Sequence, residues 1–417
     1  MARPSGQVSG SPAPILPFRP ATPPAAPLVA PPPVPAARPP ILLSPPHLTG
    51  DELAAIQATL EAGWCAPAGP VPEAFEQAIV RASGFPHVLA VASGTAALHL
   101  GYRCLGVEAG DEVWTSTLTF VATVAPAVQM GALPRFLDVS PESWTLDPDL
   151  LERELARAAR RGRLPRCVVP VDLFGQCADL ATIRVLCDRW GVPVMSDSAE
   201  GLGATQRGGA PAGRGARVAA FSFNGNKIVT AGGGGALCSD DPAPIALARR
   251  LAVQAKEPAA HYQHETTGHS YGLSSLLAAV GLAQLPSLPV RVATRRAIFD
   301  RYAQALADVP GLRMMPEPAW GRSTRWLSVA LFEGRRSGPT REAVRDALAA
   351  AAIETRPVWK PLHLQPAFRR AAHAGGAVAA RLFEQGLCLP SGSGMTAAEQ
   401  ARVVAAIRAC CGLGPEP

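Results

Sequence analysis

One lysine stands apart in this chain because of its scarcity and its neighbours. The sequence has 36 arginines and three lysines, and Lys227 lies just before four consecutive glycines in the stretch SFNGNKIVTAGGGG, residues 222–235. An ε-amine can lose its proton and attack a carbonyl carbon, whereas a guanidinium stays protonated at any working pH. A lysine at this position therefore predicts covalent chemistry with a carbonyl group, and chance placement is the alternative.

Two further stretches place polar groups directly after short apolar runs. Ser93, Gly94 and Thr95 follow the run HVLAVA and precede a helical stretch, where backbone N–H groups and the helix dipole favour a bound anion. Asp197 follows the run VPVMS and can pair with a protonated heterocycle. Each motif also has an ordinary interpretation: a helix cap, a capping or salt-bridged carboxylate, and a glycine-rich hairpin after Lys227.

Taken together, the three motifs describe one kind of site. A phosphate cradle, a carboxylate for a ring nitrogen and a lysine that can be deprotonated are the groups that pyridoxal 5′-phosphate requires. In this hypothesis Asp197 keeps the pyridine nitrogen protonated and Lys227 holds the aldehyde as an imine. The nine cysteines show no spacing typical of a metal site, so no metal is expected.

The elements that must position these groups have the pattern of β-α-β units. From about Ile41, short apolar runs alternate with helical stretches, which predicts an α/β fold with a mostly parallel sheet and ligands at the carboxyl ends of its strands. A long helical region over 273–308 precedes further strands. The predicted organisation is a proline-rich disordered tail over 1–40, a large α/β domain over 41–265 and a smaller C-terminal α+β domain over 266–417.

Composition argues against several classes of protein. Hydrophobic residues make up 48% of the chain and charged residues 17%, which is typical of a globular enzyme. The formal charge of +6 comes from scattered arginines, so nucleic acid is not an expected partner. Proline accounts for 14 of the first 40 residues, and neither a signal peptide nor a membrane span is expected. The cysteines fit reduced thiols, so we expect a cytoplasmic protein.

Four stretches resemble the DegT/DnrJ/EryC1/StrS family of nucleotide-sugar aminotransferases: ASGTAALHL, TFVAT, DSAEGLGA and FSFNGNKIVTAGGGG. The resemblance runs from about Ile41 to about Cys411 and implies the type I, aspartate aminotransferase-like fold. Flanking stretches such as GWCAPAGP and ETRPVWKPLHLQPAF resemble the branch that aminates C4 of UDP-4-keto-6-deoxy-N-acetylglucosamine. The same resemblance implies glutamate as the amino donor and a homodimer with shared active sites.

The resemblance also implies a role for individual residues. Lys227 is implied to bind the cofactor covalently and to carry the proton, while Asp197 pairs with the pyridine nitrogen. Glu200 is implied to lie near the phenolic edge of the ring, and Phe120 to stack on its face. The residues implied to hold the cofactor phosphate are Gly94, Thr95, Ala96 and Ser222.

One segment, over 267–285, departs from the family pattern. Ser270 stands where the family usually has Asn, Gly272 where it has Arg, and Ser275 where it has a second Asn. In the family this hairpin crosses to the neighbouring subunit, and its first Asn reaches the partner's cofactor phosphate. Ser270 is therefore implied to bind cofactor with a shorter side chain, and the interface or the acidic substrate has one fewer cation.

Alternatives remain within the family and outside it. Relatives that aminate another carbon or another nucleotide sugar, or that make aromatic amino compounds, share the core motifs. The sugar 3-dehydratase branch has histidine in place of the lysine, so Lys227 argues against that activity. A regulator or scaffold that keeps the fold without turnover is the alternative from another class, and the complete pair of Asp197 and Lys227 argues against it.

Overall fold

Strands and helices alternate along residues 39–334 and 338–414, the part of the chain that the computed structural model describes. The strands are β1 (His87–Val91), β2 (Glu112–Ser116), β3 (Leu133–Leu137), β4 (Cys167–Val169), β5 (Met195–Asp197), β6 (Val218–Ser222), β7 (Gly235–Ser239), β8 (Leu312–Met314), β9 (Ser328–Phe332), β10 (Arg356–Pro357), β11 (Ala372–Ala374) and β12 (Gly386–Leu389). The α-helices are α1 (Glu52–Glu61), α2 (Pro70–Ser83), α3 (Gly94–Cys104), α4 (Ala125–Gln129), α5 (Pro148–Arg160), α6 (Leu180–Asp188), α7 (Pro242–Ala252), α8 (Ser275–Gln284), α9 (Leu288–Ala305), α10 (Arg341–Ala350), α11 (Ala377–Gln385) and α12 (Ala397–Cys410).

The first large sheet has the strand order β1-β7-β6-β5-β4-β2-β3-β11. Two groups of four strands are joined by parallel bridges from Val168 to Val194 and from Val171 to Asp197. Strand β7 pairs antiparallel with β1 and β6, and the other neighbouring strands of this sheet are parallel. The prediction of a mostly parallel α/β sheet is confirmed, and the antiparallel pair of β6 and β7 is the hairpin that the glycine-rich stretch after Lys227 allowed.

Alternate residues of the strands supply two different hydrophobic clusters. In β6, Val218 and Ala220 belong to a cluster with α3, whereas Ala219 and Phe221 belong to a cluster with α2. Successive side chains of a strand point to opposite faces, so the sheet is buried on both sides. Such burial explains why these strands are almost continuously apolar.

A second sheet, with the antiparallel order β10-β12-β9-β8, packs against α10 and α12. Two segments cross the predicted boundary at residues 265 and 266. Ile41 pairs with the chain at Ile353, and β11 joins the edge of the large sheet beside β3. Residues 40–417 form one compact unit, and the division at 265 stays a prediction. Residues 1–38 of the tail predicted over 1–40 lie outside the described part of the chain.

The helical region predicted over 273–308 consists of α8 and α9, separated by a short 3₁₀ turn at the prolines. By length and composition alone, Ser275–Ala305 is long and apolar enough to cross a membrane, and the core helix of a soluble protein can have the same length and composition. In this structure α8 packs against α1 and α2.

Candidate active site

A cavity of about 430 Å³ lies at the carboxyl ends of the parallel strands. Residues that line it follow β1, β2, β4, β5 and β6, as the strand-end argument predicts. Seven residues singled out in the sequence line this cavity: Gly94, Thr95, Phe120, Asp197, Glu200, Ser222 and Lys227. Two others, Ala96 and Ser270, are not among its lining residues.

The start of α3 forms one wall of the cavity. Ser93 caps this helix, because its Oγ accepts a hydrogen bond of 3.0 Å from the N–H of Ala96. The first N–H groups of a helix have no intrahelical acceptor. The cap occupies the N–H of Ala96, which leaves those of Gly94 and Thr95 for a ligand. The ordinary interpretation of Ser93 as a cap therefore holds, and the anion site predicted here rests on Gly94 and Thr95.

Glycines bring three backbone segments together beside this helix start. A Cβ atom on Gly94 would lie 2.9 Å from Cβ of Ser222, so a larger residue would push Ser222 away from the helix. A Cβ atom on Gly235 would lie 2.5 Å from the backbone of Ser93 and Gly94. Close backbone approach is thus the reason for glycine at both positions.

Asp197, at the end of β5, is held by short hydrogen bonds. The Thr123 hydroxyl donates to its Oδ2 at 2.6 Å, and the Ala199 N–H donates to its Oδ1 at 3.2 Å. Thr119 contacts Thr123 at 2.7 Å, which extends the chain of hydroxyl groups. Burial raises the pKa of Asp197, while the Thr123 hydroxyl, the Ala199 N–H and the charge of Lys227 lower it.

The amine of Lys227 faces Asp197 from the loop after β6. Its Nζ lies 3.3 Å from Oε1 of Glu200 and 4.1 Å from the centre of the Trp326 ring. The ring is fixed in turn, because Trp326 Nε1 donates to the carbonyl of Asn226 at 2.8 Å. A carboxylate and an aromatic face therefore hold a lysine amine that points into the cavity.

Glu200 connects this lysine to the loop after β4. Its Oε2 accepts a hydrogen bond of 2.8 Å from the N–H of Phe174, a residue with the unusual φ of 53°. Burial raises the pKa of Glu200, and the charge of Lys227 and the Phe174 N–H oppose that rise. The positive φ at a bulky residue indicates a strained backbone, and this hydrogen bond helps to hold that conformation.

The aromatic residues Phe120 and Trp359 line the cavity, and the buried Phe174 packs behind them. Phe120 is 54% exposed, and its ring centre lies 5.5 Å from that of Trp359. Phe174 lies 5.7 Å from the same tryptophan. An exposed ring at the edge of a cavity is free to stack on a planar ligand, which agrees with the predicted place of Phe120.

Ser270 lies outside this cavity. Its side chain is exposed, and its backbone pairs with Val253 after α7. The two other departures have local reasons. A Cβ atom on Gly272 would lie 2.8 Å from Cβ of Pro67, and the Ser275 hydroxyl donates to the carbonyls of Ala66 and Ala68. These small residues fit the 66–68 segment, so an Arg at 272 would not pack here.

Several residues of the site were not singled out in the sequence. Thr119 and Thr123 are the first and last residues of the stretch TFVAT, and their spacing of four positions is the signal in the sequence for this pair of hydroxyl groups. Trp326 and Trp359 carry no signal beyond their apolar type, because tryptophan is more often a core residue than a ligand contact. The hydrogen bonds identify the threonines, and the cavity identifies the tryptophans.

The residues present fit pyridoxal 5′-phosphate. Gly94 and Ser222 form a cradle that a Cβ atom would fill, a helix start faces it, and Lys227 and the buried Asp197 lie across the cavity. The cavity volume lies in the range of cofactor and small-molecule sites, about 300–1,000 Å³. Within residues 39–334 and 338–414, no group of three His, Cys, Asp or Glu side chains could hold a metal ion.

Comparisons with known proteins agree with this fit. The model of the DegT/DnrJ/EryC1/StrS aminotransferase family matches residues 46–408. EpsN of Bacillus subtilis (strain 168), whose name describes a pyridoxal phosphate-dependent aminotransferase, is 47% identical over 368 residues, which are 87% of this chain and 94% of EpsN. GDP-perosamine synthase of Caulobacter vibrioides is 33% identical over 88% of this chain and 98% of its own.

A solved structure extends the comparison to the fold. The crystal structure of DesI in the presence of its TDP-sugar product matches with a TM-score of 0.82 and 28% identity, over 90% of this chain and 94% of DesI. The predicted type I fold is thereby confirmed, as is the predicted cofactor. This chain belongs to the DegT/DnrJ/EryC1/StrS aminotransferase family and is a pyridoxal phosphate-dependent aminotransferase.

Proposed function

We propose that this enzyme transfers the amino group of glutamate to a keto-sugar that is linked to a nucleotide. The proposed acceptor is C4 of UDP-4-keto-6-deoxy-N-acetylglucosamine. The observation that carries the proposal is the Lys227 amine held 3.3 Å from Glu200 in a cavity whose far side is the buried Asp197. A cytoplasmic location is proposed with it.

When bound, pyridoxal phosphate supplies an aldehyde that carries the amino group and a ring that takes up the electron pair released on proton removal. The chain's own groups direct that chemistry. Asp197, fixed by Thr123, holds a proton on the ring nitrogen through its negative charge. Lys227 Nζ, beside Glu200, accepts a proton from the substrate carbon and returns it.

Two relatives support a nucleotide-linked substrate. One is named GDP-perosamine synthase, and the other was crystallised with its TDP-sugar product. These names describe guanine and thymine nucleotides, so they favour a second candidate, an aminotransferase for a GDP- or TDP-linked sugar. The choice of UDP and of C4 rests on the resemblance of the flanking stretches, such as ETRPVWKPLHLQPAF, to one branch of the family.

A substrate panel separates these candidates. The purified protein is incubated with glutamate and UDP-, GDP- or TDP-linked 4-keto-6-deoxy sugars, and the amino sugar and 2-oxoglutarate are measured by mass spectrometry. We expect the highest kcat/KM with UDP-4-keto-6-deoxy-N-acetylglucosamine. A higher value with a GDP- or TDP-linked sugar would favour the second candidate, and turnover of none, with the cofactor bound, would favour a regulator.

We also propose a homodimer in which the 267–275 segment of each chain completes the phosphate site of its partner. The exposed position of Ser270, away from the cavity of its own chain, supports a contact with another subunit. Glycine at 272 and the hydrogen bonds of Ser275 hold this segment against residues 66–68. The segment therefore has a fixed shape from which Ser270 can donate one hydrogen bond.

Ser270→Asn tests this contact. The longer side chain should strengthen cofactor binding by no more than about 1 kcal/mol, since one ordinary hydrogen bond is involved. This limit corresponds to a dissociation constant that is lower by roughly fivefold at most. Cofactor titration measures it, with sedimentation to show the dimer. A fully active monomer, or much weaker cofactor binding by Ser270→Asn, would contradict the proposed contact.

A further inference from the structure

A third carboxyl group lies directly behind the cavity wall. Asp172 follows β4, is 2% exposed, and has Val171 and Leu173, two residues of the cavity lining, on either side. Its N–H donates to the carbonyl of Asp197 at 2.9 Å. The backbone of this acid is thus part of the same strand ends that position the site.

The carboxyl group of Asp172 has few hydrogen-bond partners. Its Oδ1 accepts from the N–H of Ala178 at 3.0 Å, and its Oδ2 has no partner among the described atoms. Oδ2 packs so tightly on the backbone after Glu200 that a Cβ atom on Gly201 would lie 2.6 Å from it. An ionised carboxylate in this place would leave an oxygen both charged and unbonded, which is costly.

Another buried aspartate, Asp138, has more hydrogen-bond donors. Asp138 is 6% exposed and accepts hydrogen bonds from the backbone N–H groups of four residues: Val139, Gly376, Val378 and Ala379. Four donors can stabilise a buried negative charge without a cation. Asp172, at similar burial, has one backbone N–H donor, that of Ala178, and the nearby hydroxyl of Ser198.

The neighbours of Asp172 are acids rather than bases. Asp197 of β5 and Glu200 of the following turn face it, and the thiol of Cys177 lies on the loop after β4. Within the described residues no cation forms an ion pair with Asp172, and Lys227 pairs with Glu200 instead. Burial, followed by the charges of Asp197 and Glu200, raises the pKa of Asp172 to about 7, while the Ser198 hydroxyl and the Ala178 N–H lower it.

We propose that Asp172 is a positioning residue that keeps its proton in acidic solution and releases it only as the pH reaches neutrality, so that below neutral pH the cavity wall carries the charges of Asp197 and Glu200 without a third. The neutral carboxyl group packs on Gly201, next to Glu200. It also accepts the Ala178 N–H, which stabilises the loop after β4 that carries Phe174. Loss of the proton as the pH rises through neutrality puts another negative charge behind the cavity. That charge disfavours the anionic phosphate and carboxylate groups that the site binds.

Thermal unfolding of Asp172→Asn across pH tests the proposal. The folded pKa of about 7 lies above the unfolded value of 3.8, so ionisation of Asp172 removes stability as pH rises between these values. Asparagine resembles the protonated acid and does not ionise. The Tm of Asp172→Asn minus that of the wild type should therefore rise by about 3 °C from pH 5 to pH 8 and then level off.

The measurement uses the full-length chain, both with its cofactor and after its removal, and therefore does not depend on the proposed sugar. Asp138→Asn is the matched control, because it should lower Tm without this upward trend with pH. A flat difference between Asp172→Asn and the wild type, in either form, overturns the proposal. A difference that falls with pH also overturns it, since it would mean an ordinary ionised aspartate.

If Asp172→Asn does not fold, carboxyl-labelled aspartate in the wild-type chain gives the answer by ¹³C NMR. One aspartate carboxyl should titrate near pH 7, and the signal should persist in Asp197→Asn, shifted to lower pH by the loss of a neighbouring charge. Absence of such a signal, or its loss in Asp197→Asn, overturns the proposal.

Discussion

Two sets of buried charged groups lie on either side of the loop that carries Lys227, and they differ in how their hydrogen-bonding groups are used. On the cavity side, the lysine amine has one carboxylate oxygen at 3.3 Å and an aromatic face, and Asp197 has two donors. On the far side, Arg291 donates to the carbonyls of Ile228 and His47. Arg295 donates to two more carbonyls and to a hydroxyl.

The two arginines are bonded mainly to backbone carbonyls. Arg295 is 1% exposed, and its Nη1 donates to the carbonyls of Trp326 and Ser391 at 2.5 and 3.0 Å, while Nη2 donates to Ser44 Oγ at 3.2 Å. Its Nε is left without a partner among the described atoms. Burial and the charge of Arg291 lower the pKa of Arg295 to about 9, so the guanidinium stays charged at neutral pH.

Under the proposed function, the charged groups on the cavity side take part in the reaction, whereas the arginines stabilise the structure. Groups on the cavity side keep free hydrogen-bonding capacity, which a ligand can use. The arginines spend theirs on backbone carbonyls, and one of those carbonyls belongs to Trp326, whose ring lies under Lys227. Substitutions on the cavity side should therefore reduce turnover, and substitutions on the far side should reduce stability.

Lys227→Arg should have the largest effect. Arginine keeps the charge beside Glu200 but cannot bind the aldehyde covalently or shuttle a proton, so turnover should fall by several orders of magnitude. The free energy of unfolding should change little. Borohydride reduction of the wild type and peptide mapping should place the cofactor on Lys227. Steady-state rates and urea unfolding give the two other quantities.

The matched control for this substitution is Lys256→Arg. Lys256 is exposed and lies over the ring of Tyr262, far in sequence from the cavity lining, so its replacement should leave turnover unchanged. Cofactor label on Lys256 or Lys360 would show that Lys227 is not the reacting amine.

Asp197→Asn should have a smaller but still large effect on turnover. Asparagine can keep the hydrogen bond from Thr123 but lacks the charge that holds a proton on the ring nitrogen. Loss of one positioned electrostatic partner costs about 10²–10³ in kcat. Cofactor affinity should fall far less, because the phosphate and the lysine remain. Near-normal turnover at saturating cofactor would contradict the role of Asp197.

The cavity side was largely predictable from the sequence, and the far side was not. One of only three lysines in a chain with 36 arginines, and an aspartate after an apolar run, were strong signals, since few residue types can do that chemistry. The chain has 36 arginines, and Arg291 and Arg295 lie in a helical stretch, where arginine usually faces solvent. Their burial depends on carbonyls of distant segments, which only tertiary contacts bring together.

The same reason explains the limits within the fold. The alternation of strands and helices predicted a parallel sheet, because its period is local. The pairing of β7 with β1 and that of β11 with β3 join residues more than 100 positions apart, and no local pattern records them. Asp172 likewise belongs to an ordinary strand-end sequence, and its shortage of donors appears once its neighbours are in place.

Arg295→Met sharpens the comparison from the far side, with the smallest expected effect on turnover. The substitution keeps most of the side-chain volume but leaves the Ser391 carbonyl without this donor, while the Trp326 carbonyl keeps the Ser391 hydroxyl at 3.3 Å. A buried acceptor left unpaired costs roughly 1–3 kcal/mol. Removal of a buried charge offsets part of that cost, so we expect the free energy of unfolding to fall by about 1–2 kcal/mol.

Urea unfolding compares this variant with the control Arg313→Met. Arg313 lies in β8, its side chain is 65% exposed, and it pairs with Glu333. That control should change the free energy of unfolding by less than about 0.5 kcal/mol. Arg295→Met should keep turnover within about tenfold of the wild type, because Lys227 and Asp197 remain in place and one hydrogen bond of about 1.4 kcal/mol corresponds to tenfold. A loss of turnover in the range of Asp197→Asn, without a loss of stability, would mean that the arginine tunes the reacting lysine through Trp326, and the division between the two sets of charges would fail.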